Sequence, residues 1–100
     1  MADPGFVQII EYTTSKPDEM QAAVDEFLAA TEGKRSSGHG MTTNDRDRPN
    51  VYLQIIEFPS YEDAMKNSEM PETQHLSEQM MKLCDGPPTF RNLDVTFEEG

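Results

Sequence analysis

The four residues Gln8–Glu11 read QIIE, and the same four letters return at Gln54–Glu57. Each copy lies in a run rich in β-branched and aromatic residues, Phe6–Thr13 and Val51–Phe58, which is typical of β-strands. When one residue is deleted after the first strand, further identities follow at Ser15/Ser60, Asp18/Asp63 and Met20/Met65. The two halves of the chain therefore predict a repeated strand–helix unit.

Helical periodicity follows the first strand. Ser15 and Asp18 have the spacing of a capping box, Pro17 suits the first turn, and Gly33 marks the end of the helix. The apolar positions recur three and four residues apart, which predicts one buried helix face: Met20, Ala23, Val24, Phe27 and Leu28.

The second helical region is interrupted. Ser60 and Asp63 repeat the capping spacing, and Pro71 predicts a kink or the start of a new helix after Met70. The apolar face of that new helix consists of residues at helical spacing: Leu76, Met80, Leu83 and Cys84.

Two weaker strands complete the order. Ser36–Asn44 carries two glycines and predicts an edge strand, Asp45–Asn50 predicts a turn, and Thr89–Phe97 predicts the last strand. With right-handed crossovers, the order βαββαβ gives a four-stranded antiparallel sheet, order 4-1-3-2, with the helices on one face. We therefore predict a single ferredoxin-like α+β domain over residues 1–100.

The two central strands predict a homodimer. Neighbouring isoleucines in a strand point to opposite faces, so the pairs at 9–10 and 55–56 make both sheet faces apolar. Helices cover only one face, and a second subunit's sheet is the simplest cover for the other.

The composition limits the binding partners and the cellular compartment that we expect for this protein. The 19 acidic residues against 8 basic ones give a net charge of −11, which disfavours nucleic acid and anionic membrane surfaces. No apolar run approaches the roughly 20 residues of a membrane span, and Met1–Gly5 lacks a signal-peptide pattern. The single cysteine, Cys84, cannot form an internal disulfide. These features predict a cytoplasmic protein.

The strand order, the doubly apolar central strands and the segment Phe58–Met65 resemble the dimeric α/β-barrel superfamily, and within it the antibiotic-biosynthesis-monooxygenase-like small proteins. The resemblance implies a homodimer with a pocket in each protomer between sheet and helices. Known members include cofactor-independent monooxygenases of polyketide quinols, haem-degrading enzymes and proteins without known activity. The resemblance thus implies a small aromatic or polyketide-like ligand.

The haem-degrading members resemble one another in an Asn on the first strand, a Trp after the third strand and a haem-ligating His. The corresponding positions here are Gln8, Met65 and His75, so only the histidine matches. The chain also has no paired-cysteine motif, and His39, His75 and Cys84 lack metal-ligand spacing. We therefore expect neither a cofactor nor a metal.

His75 is the candidate catalytic residue, because an imidazole in the pocket could deprotonate a phenolic or enolic substrate. The alternative is a surface histidine without a chemical role. The candidate pocket residues comprise polar groups on the central strands and aromatic or flexible side chains around them: Gln8, Tyr12, Gln54, Tyr61, Met65 and Phe90.

Two further pairs have open interpretations. Gln8 and Gln54 must be hydrogen-bonded if they face the interior, either to each other or to a ligand. Glu11 and Glu57, at equivalent places in the repeat, either share a proton as a carboxylate pair or reach water at the strand ends. Two functions remain open: a cofactor-independent monooxygenase-like enzyme, or a non-catalytic dimeric binding or stress-related module.

Overall fold

The computed structural model describes residues 5–35 and 38–99. The start of the predicted edge strand at Ser36 and the N-terminal residues 1–4 lie outside this range. The elements follow the predicted order, with the second helical region divided in two: β1 (Phe6–Thr13), α1 (Pro17–Ala30), β2 (Gly40–Asn44), β3 (Val51–Phe58), α2 (Tyr61–Glu69), α3 (Pro71–Leu83) and β4 (Thr89–Asp94).

The four strands form one antiparallel sheet in the order β2-β3-β1-β4. Taken from the opposite edge, this is the predicted order 4-1-3-2, so the ferredoxin-like fold is confirmed. The central strands β1 and β3 pair along their whole length, with Ile9 opposite Ile55 and Ile10 opposite Gln54. This register decides which side chains share a face.

The core lies between the sheet and the helices. On β1 the apolar residues facing the helices are buried, with Phe6 4% exposed and Ile10 7% exposed, whereas Gln8 between them is half-buried. The main cluster combines strand and helix residues: Ile10, Tyr12, Met20, Ala23, Val24, Leu76 and Met80. A smaller cluster of Phe6, Phe58 and Ala64 fixes α2 to the ends of β1 and β3.

The start of α1 differs from the prediction. Lys16 occupies the N-cap position and no side chain caps the helix, so the predicted capping role of Ser15 is wrong. Thr14, which is 1% exposed, orders this junction. Its Oγ1 accepts a hydrogen bond from the Lys16 N–H (3.0 Å) and donates one to the Leu83 carbonyl (2.7 Å).

The last strand is shorter than predicted. β4 ends at Asp94, although the N–H of Val95 still donates to the Gly5 carbonyl (3.1 Å). Phe97, predicted to lie on the strand, is 79% exposed beyond its end.

The break before Pro71 is present. Met70 has extended backbone angles (φ −66°, ψ 137°) and separates α2 from α3, with Pro71 opening the second helix. Proline disfavours helical geometry in the residue before it, which accounts for the extended Met70.

Ser60 caps α2 as predicted, and its removal should cost stability. Its Oγ accepts from the Asp63 N–H (3.1 Å) and donates to Asp63 Oδ2 (3.0 Å). We expect Ser60→Ala to lower the free energy of unfolding by about 1 kcal/mol in urea titrations. Ser15→Ala, at the equivalent place in the repeat, should have little effect. Equal losses in the two variants would contradict the assignment of the caps.

Candidate functional site

A cavity of about 480 Å³ lies between the sheet and helices α1 and α3. We call it the sheet–helix cavity. Its floor is formed by strand residues that point toward the helices, and its walls come from the helices and the ends of the connecting segments. The floor residues are Gln8, Ile10, Thr42, Gln54, Ile56 and Phe90.

Three predicted pocket residues meet in this cavity: Gln8, Gln54 and Phe90. Side-chain alternation along β1, β3 and β4 brings these three residues to the helix-facing side, together with Ile10. Gln8 Nε2 donates to Asn92 Oδ1 on β4 (3.2 Å), so its protein partner is Asn92 and not Gln54, which was one of the two alternatives. The amide of Gln8 is thereby held in place at the cavity floor.

The other predicted pocket residues lie elsewhere. Tyr12 is 4% exposed in the core, where its ring stacks on Tyr52 with a centroid distance of 5.8 Å. Tyr61 is 52% exposed and meets Phe6 edge-on at 5.4 Å, while Met65 is 40% exposed. None of these three residues lines the sheet–helix cavity. Their assignment to a substrate pocket stays a prediction.

His75 is exposed and lines a separate groove of about 250 Å³ between α1 and α3. The groove also includes Glu26 and Glu72, and it shares Phe27 and Leu76 with the sheet–helix cavity. The predicted catalytic histidine therefore lies on the outer side of the residues that separate the two spaces.

The proposed carboxylate pair does not form. Because β1 and β3 are antiparallel, Glu11 lies opposite Leu53 and Glu57 lies opposite Val7, at opposite ends of the pairing. Glu11 contacts Arg91 (3.4 Å), and Glu57 contacts His39 Nδ1 (3.1 Å). The pairing hypothesis is wrong because equivalent positions of the repeat do not meet across antiparallel strands.

Sequence reasoning missed the polar residues around the α2–α3 break. Asn67 and Thr73 line the cavity, and in the described part of the chain their buried Oδ1 and Oγ1 atoms have no hydrogen-bond partner. Asn, Ser and Thr are poor interior helix residues, so their concentration beside Pro71 was the available signal. Arg35, after α1, also lines the cavity.

The opposite face of the sheet is apolar at its centre. The residues that alternate with the buried ones point away from the helices and form what we call the outer face: Val7, Ile9, Met41, Leu53, Ile55 and Leu93. Met41 and Leu93 are each 42% exposed, and the others are half-buried. Contiguous exposed apolar surface of this kind is typical of interaction sites.

Tyr12 and Cys84 make the core sensitive to alkali. Burial raises the pKa of the Tyr12 hydroxyl, and the nearby Cys84 and Tyr52 add to the effect. Burial, and then Asp85, raises the pKa of the Cys84 thiol. Since the folded chain holds these protons more tightly than the unfolded chain does, the stability present at neutral pH is lost as the pH rises.

We expect the urea midpoint to fall as the pH passes about 8.5, where an unfolded thiol begins to ionise, and onward through the raised pKa values of the folded state. Cys84→Ala should flatten the first part of this fall. An identical profile for Cys84→Ala would show that the thiol does not contribute.

Several solved structures have the same fold as this chain. The chain matches SnoaB from Streptomyces nogalater, described as a cofactor-independent oxygenase, with a TM-score of 0.80 and 13% identity over 97% of both chains. It matches Rv0793 from Mycobacterium tuberculosis with a TM-score of 0.78 and 14% identity over 96% of this chain and 99% of the other. A third structure, described as an antibiotic biosynthesis monooxygenase, gives a TM-score of 0.75 and 13% identity over 91% of this chain and 98% of the other.

The chain therefore shares its four-stranded α+β fold with these solved structures, two of which are described as oxygenases or monooxygenases. No protein-family model matches the sequence, and comparison with curated proteins finds no match. Among the described residues, no helix combines the length and apolar character needed to cross a bilayer.

Proposed function

We propose that the protein binds a small, mostly apolar organic compound in the sheet–helix cavity. The observation that carries this proposal is the cavity itself, whose volume of about 480 Å³ lies in the range of small-molecule sites. Its apolar lining includes Phe27, Met80 and Phe90, and the floor carries two amides, Gln54 and Gln8, of which Gln8 is hydrogen-bonded to Asn92. This combination of apolar walls and a few oriented polar groups is typical of ligand pockets.

We further propose a cofactor-independent, monooxygenase-like reaction on a small enolisable aromatic compound. The similarity in shape to a protein described as a cofactor-independent oxygenase supports this choice. In such a reaction a ring methylene loses two hydrogens and gains one oxygen atom of O₂, while the second oxygen atom leaves as water. The substrate supplies all the electrons, so no external reductant is needed.

An anthrone, which O₂ converts to a quinone and water, is a suitable probe. We expect oxygen consumption and quinone absorbance to rise at least about tenfold above the uncatalysed rate, a modest catalytic effect. Thr42→Trp, which fills the cavity from edge strand β2, should remove the increase while circular dichroism shows an intact fold. Rates equal to the background for the unaltered protein would refute the reaction.

His75 lines the outer groove and not the sheet–helix cavity, so it is the proposed general base only for a substrate that reaches that groove, and His75→Ala tests that role separately. Loss of turnover with the fold retained would support it. Unchanged turnover would contradict it and leave proton removal to the substrate's own acidity.

A second function, a non-catalytic binding module, is favoured by one observation. The described residues lining the cavity include no Asp, Glu, His, Cys, Lys or Tyr, so they supply no general base at neutral pH. A module of this kind would bind the anthrone without accelerating its oxidation, and fluorescence titration would detect that binding.

The proposed assembly is a homodimer in which the outer faces of two sheets pack together. The apolar outer face, in a fold shared with the solved structures above, supports this arrangement. A cytoplasmic location is proposed with it, because a half-buried single thiol suits a reducing compartment.

A further inference from the structure

The sheet–helix cavity differs in charge from the rest of the chain. The sequence holds 19 acidic residues, yet none of them is among the described residues that line the cavity. In that part of the chain the charged lining residue is a cation, Arg35. The cavity therefore has the opposite sign of charge to the protein surface around it.

Arg35 is available to a ligand. Within residues 5–35 and 38–99, no hydrogen bond or ion pair engages its guanidinium group. The neighbouring cation, Lys34, is already paired, with its Nζ 3.1 Å from Glu72 Oε2. Glu72, the acidic residue in the first turn of α3, is therefore engaged by Lys34.

Arg35 and two polar residues of the cavity lie near the break between α2 and α3. Lys34 and Glu72 are in contact, so their chain neighbours, Arg35 and Thr73, lie in the same region of the molecule. Asn67 and Thr73 stand on either side of the break at Met70, in the last turns of α2 and the first turn of α3. The positive end of the α3 dipole lies at this same break and adds to the preference for negative charge.

Two buried oxygens near this break lack partners. Asn67 Oδ1 and Thr73 Oγ1 have no hydrogen-bond partner in the described part of the chain. A buried polar atom without a partner costs free energy, which a bound ligand's hydrogen bond would recover. Asn67 Oδ1 can accept from a hydroxyl, and the Thr73 hydroxyl can donate or accept.

Large apolar side chains line the cavity away from this break. Pro88 and Phe90 lie at the start of β4, and Met80 lies near the end of α3. Phe90 pairs with Ile10 in the sheet. Gly38 lies closer to Arg35, and its N–H donates to the Glu57 carbonyl near the end of β3. The cavity thus has a charged end at Arg35 and, away from it, an apolar surface in which the Gln54 amide lies beside Ile10.

We propose that the sheet–helix cavity selects an amphipathic hydroxy acid. Its carboxylate pairs with Arg35, its neighbouring hydroxyl donates to Asn67 Oδ1, and its apolar ring lies against Met80 and Phe90. This inference rests on the proposed binding function and deepens it, because it adds the charge and the hydrogen-bonding group of the ligand.

Three probes of one ring system separate these contributions. The first is 3-hydroxy-2-naphthoate, the second is its methyl ester, which lacks the charge, and the third is 2-naphthoate, which lacks the hydroxyl. Binding is measured by calorimetry or probe fluorescence at 150 mM salt, where the distant acidic surface is largely screened. We expect the hydroxy acid to bind at least about tenfold more tightly than the ester, as a charge-assisted hydrogen bond allows.

Matched variants assign the effect to residues. Arg35→Gln should bring the acid-to-ester ratio close to one, whereas Arg46→Gln, the same charge change in the exposed β2–β3 turn, should leave it unchanged. Asn67→Leu should remove the preference for the hydroxyl while retaining the preference for the carboxylate. Circular dichroism and urea midpoints confirm that each variant is folded.

The outcomes distinguish this inference from the proposed function. If the ester binds as tightly as the acid, or if Arg46→Gln changes the ratio as much as Arg35→Gln does, the inference is wrong while the binding function stands. If none of the three probes binds at millimolar concentration, both are wrong.

Discussion

If the proposed outer-face dimer forms, Ile55→Glu is expected to yield a folded monomer of 11.3 kDa. Ile55 lies opposite Ile9 at the centre of the outer face, where a second sheet would pack. Burying a carboxylate there without a partner costs several kcal/mol for each subunit, which exceeds what a micromolar dimer can lose. In the monomer the same carboxylate reaches water, so the fold itself should persist.

Light scattering during size exclusion measures the mass, and circular dichroism checks the fold. Met81→Glu is the matched control, because it introduces the same charge at a 61% exposed apolar residue on α3, away from the sheet. The control should keep the mass of the unaltered protein. A monomeric unaltered protein, or an unchanged mass for Ile55→Glu, would contradict the outer-face dimer.

Thr14→Val is expected to lower the free energy of unfolding by about 3 kcal/mol. Valine has nearly the same shape as threonine, but it leaves the Lys16 N–H and the Leu83 carbonyl without their hydrogen-bond partner. Because Thr14 is 1% exposed, water replaces these bonds poorly. For a domain of this size the thermal midpoint should fall by more than about 10 °C.

Two variants control this prediction, all measured at one protein concentration. Thr14→Ser keeps the hydroxyl and should retain most of the stability. Thr13→Val changes an exposed neighbour whose carbonyl, the acceptor for the Asp85 N–H, is untouched. If Thr14→Val is as stable as Thr13→Val, the buried hydroxyl does not hold β1 to the end of α3.

The central strands were predictable because burial on both faces leaves a strong pattern. Both β1 and β3 begin and end at the residues expected from the QIIE repeat. Local signals were weaker guides at the element ends. Ser15 has the right spacing for a cap, but the junction is held instead by Thr14, whose hydroxyl bonds both the Lys16 N–H and the carbonyl of Leu83, 69 residues away. No local pattern can encode such a contact.

The candidate site was only partly predictable for the same reason. Gln8, Gln54 and Phe90 share the cavity because strand alternation and register bring them to one face. His75 was chosen for its chemistry, whereas its helix turns it toward the α1 side, into the outer groove. Arg35 and Asn67 enter the cavity only through the packing of the helix ends, which the sequence pattern does not specify.

The break between α2 and α3 places cavity-lining residues outside the sheet. Asn67 and Thr73 border it, and neither takes part in strand pairing or in the outer face. Substitutions at these two positions can therefore change what the cavity accepts without disturbing the sheet on which folding and assembly depend. For protein engineering, this short interruption of a helix is the place where ligand preference can be redesigned independently of the scaffold.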